Sequence, residues 1–133
     1  MDATVAVAFA LAVVNPEAGN LGGGGFFLIR SPAGVVHAQD HRSVAPSAAR
    51  PDMFWDGDGG VTEQSVLGHR AAAVPGSVRG LHDAHERFGR LPWPRLLESA
   101  IELAEGFEVR PRYLSSLPPH IVDGLRRFPP SAE

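Results

Sequence analysis

The chain has 133 residues, the length of one ordinary domain, with 12 basic residues against 15 acidic ones and a formal net charge of −3. Every basic residue is arginine, and they are scattered, so neither a nucleic-acid surface nor a polybasic membrane arm is the default reading. A hydrophobic share of 44% with 20% charged residues is that of a globular chain, and the absence of cysteine removes disulfides, thiolate metal sites and a cysteine nucleophile.

The longest apolar run, Ala3 to Val14, is broken only by Thr4. It is shorter than the roughly 20 residues of a membrane span. Asp2 stands where a signal peptide would carry positive charge, so no export or membrane segment is expected in this sequence. Asp2 followed by alanine-rich sequence predicts an N-capped helix to Val14, ended by Asn15-Pro16. A large-small alternation (Val5, Val7, Phe9, Leu11) also suits a doubly buried strand, but length and alanine content favour the helix. With no polar face, this helix is expected to be wrapped on all sides, with a sheet beneath it.

A glycine-rich stretch, Gly19 to Gly25, leads into Phe26–Arg30, which reads as a strand. Ser31-Pro32-Ala33-Gly34 reads as a turn, and Val35 to Gln39 as the second strand of a β-hairpin. Prolines and the Asp56-Gly57-Asp58-Gly59-Gly60 run make residues 40–68 irregular, and Ala71 to Val74 fits a short strand. Pro75-Gly76-Ser77 opens a helix to Phe88, followed by Gly89, with Val78, Leu81, His85 and Phe88 on its apolar face. A further helix is expected from Arg95 to Glu105, closed by Gly106. Its predicted stripe is Leu97, Ile101 and Ala104, with Leu96, Ala100 and Leu103 beside it. A weaker helical stretch covers Arg112 to Phe128, interrupted at Pro118-Pro119. The fold class is α+β, without repeat or linker.

Most of the candidate chemistry reads as structural. The glycine run has the backbone of an anion nest, but no Gly-Lys-Ser/Thr ending follows and it opens a strand, unlike a phosphate loop. That leaves two readings open: entry into the sheet through φ > 0 or tight packing, or a substrate-facing loop. His82 and His85, three residues apart with Glu86 next, do not match the zincin spacing, and His85 reads as a packed histidine. Thr4, inside the apolar helix, and Thr62, in a loop, have no evident base for a nucleophile. Glu98, Glu102 and Glu105 read as solvated helix surface. In Asp40-His41-Arg42-Ser43-Val44-Ala45-Pro46, Arg42 follows a strand. It is either an ordinary surface arginine or a planar fork aimed at a carboxylate.

Five segments in order carry a resemblance. They are Asp2-Ala3-Thr4-Val5-Ala6, Gly22-Gly23-Gly24-Gly25-Phe26, His41-Arg42-Ser43-Val44-Ala45-Pro46, Ala73-Val74-Pro75-Gly76-Ser77-Val78-Arg79-Gly80 and Gly89-Arg90-Leu91-Pro92-Trp93. Over Asp2 to about Leu114 the chain resembles the early large subunit of the γ-glutamyltranspeptidase (glutathione hydrolase) family. The resemblance implies part of an N-terminal nucleophile hydrolase, an αββα sandwich. In that family a precursor cuts itself into two subunits, and the new N-terminal Thr of the small subunit attacks the γ-glutamyl amide. The acyl group passes to water or an amino acid, with the nucleophile's amine as a plausible base.

By this resemblance Arg42 matches the arginine that binds the substrate α-carboxylate. Ser43 stands where the family usually has Glu. Residues 1–133 are expected to form an N-terminal fragment of the large subunit, without a second domain and without the catalytic Thr, and hence to be inactive alone. The implied partners are a γ-glutamyl substrate such as glutathione, the remainder of the large subunit and the small subunit. No cofactor, metal or nucleic acid is expected. The family points to a periplasmic or extracellular setting, which nothing in this sequence fixes. Alternative readings are a related acylase, for instance on a β-lactam side-chain amide, or a non-catalytic remnant.

Overall fold

The computed structural model describes residues 1–15, 18–109 and 118–128. The first helix, α1, runs Asp2–Val14. Its N-cap is Met1, not Asp2, and the Asp2 carboxylate instead accepts hydrogen bonds from the backbone N–H groups of Arg90 (3.0 and 3.1 Å) and Leu91 (3.1 Å). Val5 and Phe9 are buried. Ala3, Thr4, Val7 and Leu11 form an exposed stripe at helical spacing, so α1 is covered on one side only, and Thr4 lies on its open side rather than inside.

Strands β1 (Phe26–Arg30) and β2 (Val36–Asp40) pair antiparallel, Phe26 opposite Asp40 and Arg30 opposite Val36. The second strand starts one residue later than its β-branched run predicts, because Val35 belongs to the turn: its carbonyl accepts from Ser31 N–H at 2.8 Å and its own N–H donates to Ser31 Oγ at 3.2 Å. Gly34 has φ +83°, which a turn of this hand requires. One face of the hairpin (Phe27, Ile29, His37, Gln39) is partly covered, and the other (Phe26, Leu28, Val36, Ala38) is open, with Leu28 80% exposed.

Residues 41–76 are largely irregular, with short 3₁₀ turns at Glu63–Ser65 and His69–Ala71. The expected strand at Ala71 to Val74 reduces to one antiparallel bridge, Val44 to Val74, because the 3₁₀ turn consumes its start. Helix α2 spans Ser77–Phe88 and α3 spans Trp93–Ala104, two residues earlier than expected, with Pro94 in the first turn where its missing N–H costs nothing. The last described helix, α4, is Pro119–Arg126. Pro118-Pro119 begins it instead of interrupting it, and the expected stretch at 112–117 lies outside the described residues.

The core is mainly helical: Val5, Phe9, Leu81, Leu96 and Ala100 pack together, joined at the edge by Phe27, Trp93 and Leu97. Each such aliphatic or aromatic side chain contributes about 1.5–3 kcal/mol when fully buried. Phe9 meets Trp93 edge to face at 5.5 Å and 85°. The sheet expected beneath α1 touches this core only through Phe27; α3 and α2 provide the floor. The buried lines of the helices also differ from the predicted stripes. On α2 they are Gly80, Leu81 and Ala84, with Val78 exposed. On α3 Leu96, Ala100 and Leu103 face inward, while Ile101 is exposed.

Candidate functional site

Gly24 and its neighbours bring three chain segments together. Gly19, at the start of the run, has φ +71°, whereas none of residues 22–25 has a positive φ, and Gly24 is required for close approach. A Cβ on Gly24 would stand 2.5 Å from His41 O and 2.7 Å from Arg42 C, which no side chain tolerates. Gly25 and His41 extend the hairpin ladder by one pair, His41 N–H donating to Gly25 O at 2.9 Å and Gly25 N–H to His41 O at 3.3 Å. Gly23 O accepts from Gly76 N–H (2.9 Å) and Ser77 N–H (3.0 Å), and Ser77 Oγ donates to Asn20 O at 3.0 Å. The start of α2, the end of β2 and the glycine run are thereby fixed to one another.

Arg42 emerges from this junction. Burial alternates from Val36 to Val44, with Val36, Ala38, Asp40, Arg42 and Val44 exposed and His37, Gln39, His41 and Ser43 half-buried. Arg42 therefore leaves the backbone on the same face as the open side of the hairpin. Its N–H donates to Asp40 Oδ1 at 2.9 Å. Among the described residues no carboxylate lies within ion-pair distance of its guanidinium. Nearby Arg70 is already engaged, donating to Met53 O and Gln64 Oε1 at 2.7 Å each. Ser43 helps to line a shallow cavity of about 270 Å³ with Val44, Phe54 and Arg70. A larger cavity of about 560 Å³, between the Glu63 turn and α4, has no lining residue from this junction.

The other sequence candidates do not join the site. His85 is a packed histidine: its Nε2 is 2.8 Å from Leu91 O and its ring 5.4 Å from that of Trp93. His82 also packs against Trp93, edge to face at 5.1 Å, with Asp83 and Glu86 beside it on α2. Thr62 opens a 3₁₀ turn, and Glu98, Glu102 and Glu105 are exposed. His41 and Gly80 were not singled out from the sequence as site residues. The residue pattern did not mark them, since Val36, Ala38 and Val44 are exposed while His37, Gln39 and His41 are half-buried, the reverse of an apolar-inward strand.

The family model described as gamma-glutamyltranspeptidase matches residues 1–130. The chain belongs to the γ-glutamyltranspeptidase family. It is 52% identical over 111 residues to the glutathione hydrolase proenzyme of Pseudomonas aeruginosa, covering 82% of this chain and 20% of that protein. The corresponding Escherichia coli proenzyme is 46% identical over 111 residues, covering 82% of this chain and 19% of that protein. The γ-glutamyltranspeptidase of Helicobacter pylori superposes with a TM-score of 0.91 at 39% identity, covering 98% of this chain and 38% of that one. The chain thus spans about a fifth of the curated relatives it matches.

Proposed function

We propose that residues 1–133 form the N-terminal part of the large subunit of a γ-glutamyltransferase or glutathione hydrolase, with no second domain, and that Arg42 binds the α-carboxylate of the γ-glutamyl group. The observation that carries this reading is the placement of Arg42. It is an exposed guanidinium without an ion-pair partner among the described residues, held at the glycine junction of a chain 52% identical to a glutathione hydrolase proenzyme. A planar fork meets a planar carboxylate with two parallel hydrogen bonds.

The remainder of the large subunit and a small subunit complete the enzyme. The open hairpin face and the open stripe of α1 are the surfaces that the other layers of an αββα sandwich cover. In the completed enzyme the N-terminal Thr of the small subunit attacks the γ-carbonyl of a substrate such as glutathione. The amide C–N bond breaks, the proton passes to the leaving amine, and water or an amino acid then takes the acyl group. Arg42 holds the far end of the γ-glutamyl group, which fixes the distance from α-carboxylate to reacting carbonyl. Ser43, in place of the family's usual Glu, favours a second reading as a related acylase with relaxed selectivity.

The test is Arg42→Ala in the full-length protein. KM for a γ-glutamyl anilide should rise about 10- to 100-fold, the loss of one charge-assisted interaction. Stability should change by no more than about 0.5 kcal/mol, since the side chain is exposed. An unchanged KM removes the assignment.

A further inference from the structure

We infer that His41 is the positioning residue of this site: its imidazole, seated in a slot walled by Gly25, Gly80 and Phe27, fixes the face of the sheet from which Arg42 departs. The inference rests on the reading of Arg42 as the carboxylate-binding group.

The ladder between the strands ends at His41. The next N–H, that of Arg42, turns to Asp40 Oδ1 and pairs with no strand. Arg42 thus lies between two anchored residues, His41 before it and Val44, bridged to Val74, after it, and His41 is the one adjacent to it. His41 is anchored by both backbone and ring. The ring lies 4.6 Å from the ring of Phe27, a diagonal neighbour on the covered face. A Cβ on Gly25 would stand 3.1 Å from His41 Nε2, and one on Gly80 would overlap His41 Cβ and Cγ at the root of the ring, 2.6 Å from Cδ2. Gly76 closes on the carbonyl, its Cβ position 2.9 Å from His41 C.

A slip of one residue would put Arg42 into this slot and His41 outside, because side chains alternate along a strand. In the observed register the slot holds the flat imidazole against Gly25 and Gly80. Among the described residues the ring makes no hydrogen bond, and its Nδ1 is buried without a partner. Shape, not polar pairing, therefore holds it, and a ring without nitrogens should serve in its place.

The experiment uses the full-length enzyme with two substrates, a γ-glutamyl anilide and its analogue with a carboxamide replacing the α-carboxylate. Arg42→Ala should abolish the preference for the carboxylate. His41→Ala should raise KM for the carboxylate substrate about 10- to 100-fold, as a misplaced binding group does. The KM for the carboxamide should stay constant, and kcat should hold within about twofold. Gly80→Ala, whose methyl would overlap His41 Cβ and Cγ and so displace the side chain from its slot, should do the same, and His41→Phe should restore most of the preference. If His41→Ala fails to mature, the ratio is read on His41→Leu and Gly80→Ala. Loss of preference in Arg42→Ala together with a wild-type ratio in the His41 and Gly80 variants overturns the inference and leaves the Arg42 reading standing. A His41→Phe enzyme as impaired as His41→Ala also overturns it. Retained preference in Arg42→Ala removes the underlying reading itself.

Discussion

Asp2 shows how one side chain can be recognised from sequence and still be given the wrong partner. It has the residue type of an N-cap, yet it sits inside the first turn of α1, where the helix dipole favours a negative charge. Its oxygens close the turn between α2 and α3 by accepting from Arg90 and Leu91, and His85 Nε2 is 3.8 Å away. The hydrogen bond from Arg90 chiefly holds its carboxyl below the ordinary value of 3.8, with Leu91, the N-terminal charge and His85 adding to this against partial desolvation. A carboxyl with a lowered native pKa stabilises the fold above its unfolded value and loses that contribution as pH falls through the native one. Asp2→Asn should therefore lower the melting temperature at pH 7, and the gap from the parent should shrink below about pH 4 and close in stronger acid. Thermal unfolding across that range measures it, and a gap constant with pH would mean that the charge contributes nothing.

The helices illustrate a one-position displacement between pattern and packing. On α3 the residues 97, 101 and 104 and the residues 96, 100 and 103 both repeat at helical spacing, so periodicity alone does not choose between them. The choice is made by α1, whose Val5 and Phe9 meet Leu96 and Ala100. Leu96 is 3% exposed and Ile101 58%. Leu96→Ala should cost about 2–5 kcal/mol, as cavity-forming changes do, whereas Ile101→Ala should cost less than about 1 kcal/mol in residues 1–133 taken alone. Urea unfolding of the two variants separates the packings, and equal losses would contradict the observed one. On α2 the same effect leaves Val78 exposed and brings Gly80 inward, since only a glycine admits the His41 ring.

At the scale of the molecule, apolar surface is left open on many segments, the hairpin and α1 among them. Phe26, Leu28 and Val36 on the hairpin and Val7 and Leu11 on α1 are exposed. The chain spans about a fifth of the curated relatives it matches. Residues 1–133 alone should give no turnover of a γ-glutamyl anilide, whereas the full-length protein should turn it over after chain cleavage. A colorimetric assay of both decides it, and activity in the short chain would place the nucleophile within it. Among the described residues no helix is long and apolar enough to cross a membrane.

The sequence by itself determined the helices and the hairpin. Their signals, alanine-rich runs, β-branched pairs and Pro or Gly punctuation, are local and act within a few residues. It also carried the family, through motifs in order. Only the tertiary structure decided which helix faces are buried, that Gly24 serves close approach, and that His41 and Gly80 interlock beside Arg42. These depend on contacts between segments some 40 residues apart, Gln39 Nε2 to Gly80 O at 2.7 Å among them. No pattern read along a single element records which distant partner will arrive, because alternative faces of one helix look equally apolar until another surface selects between them.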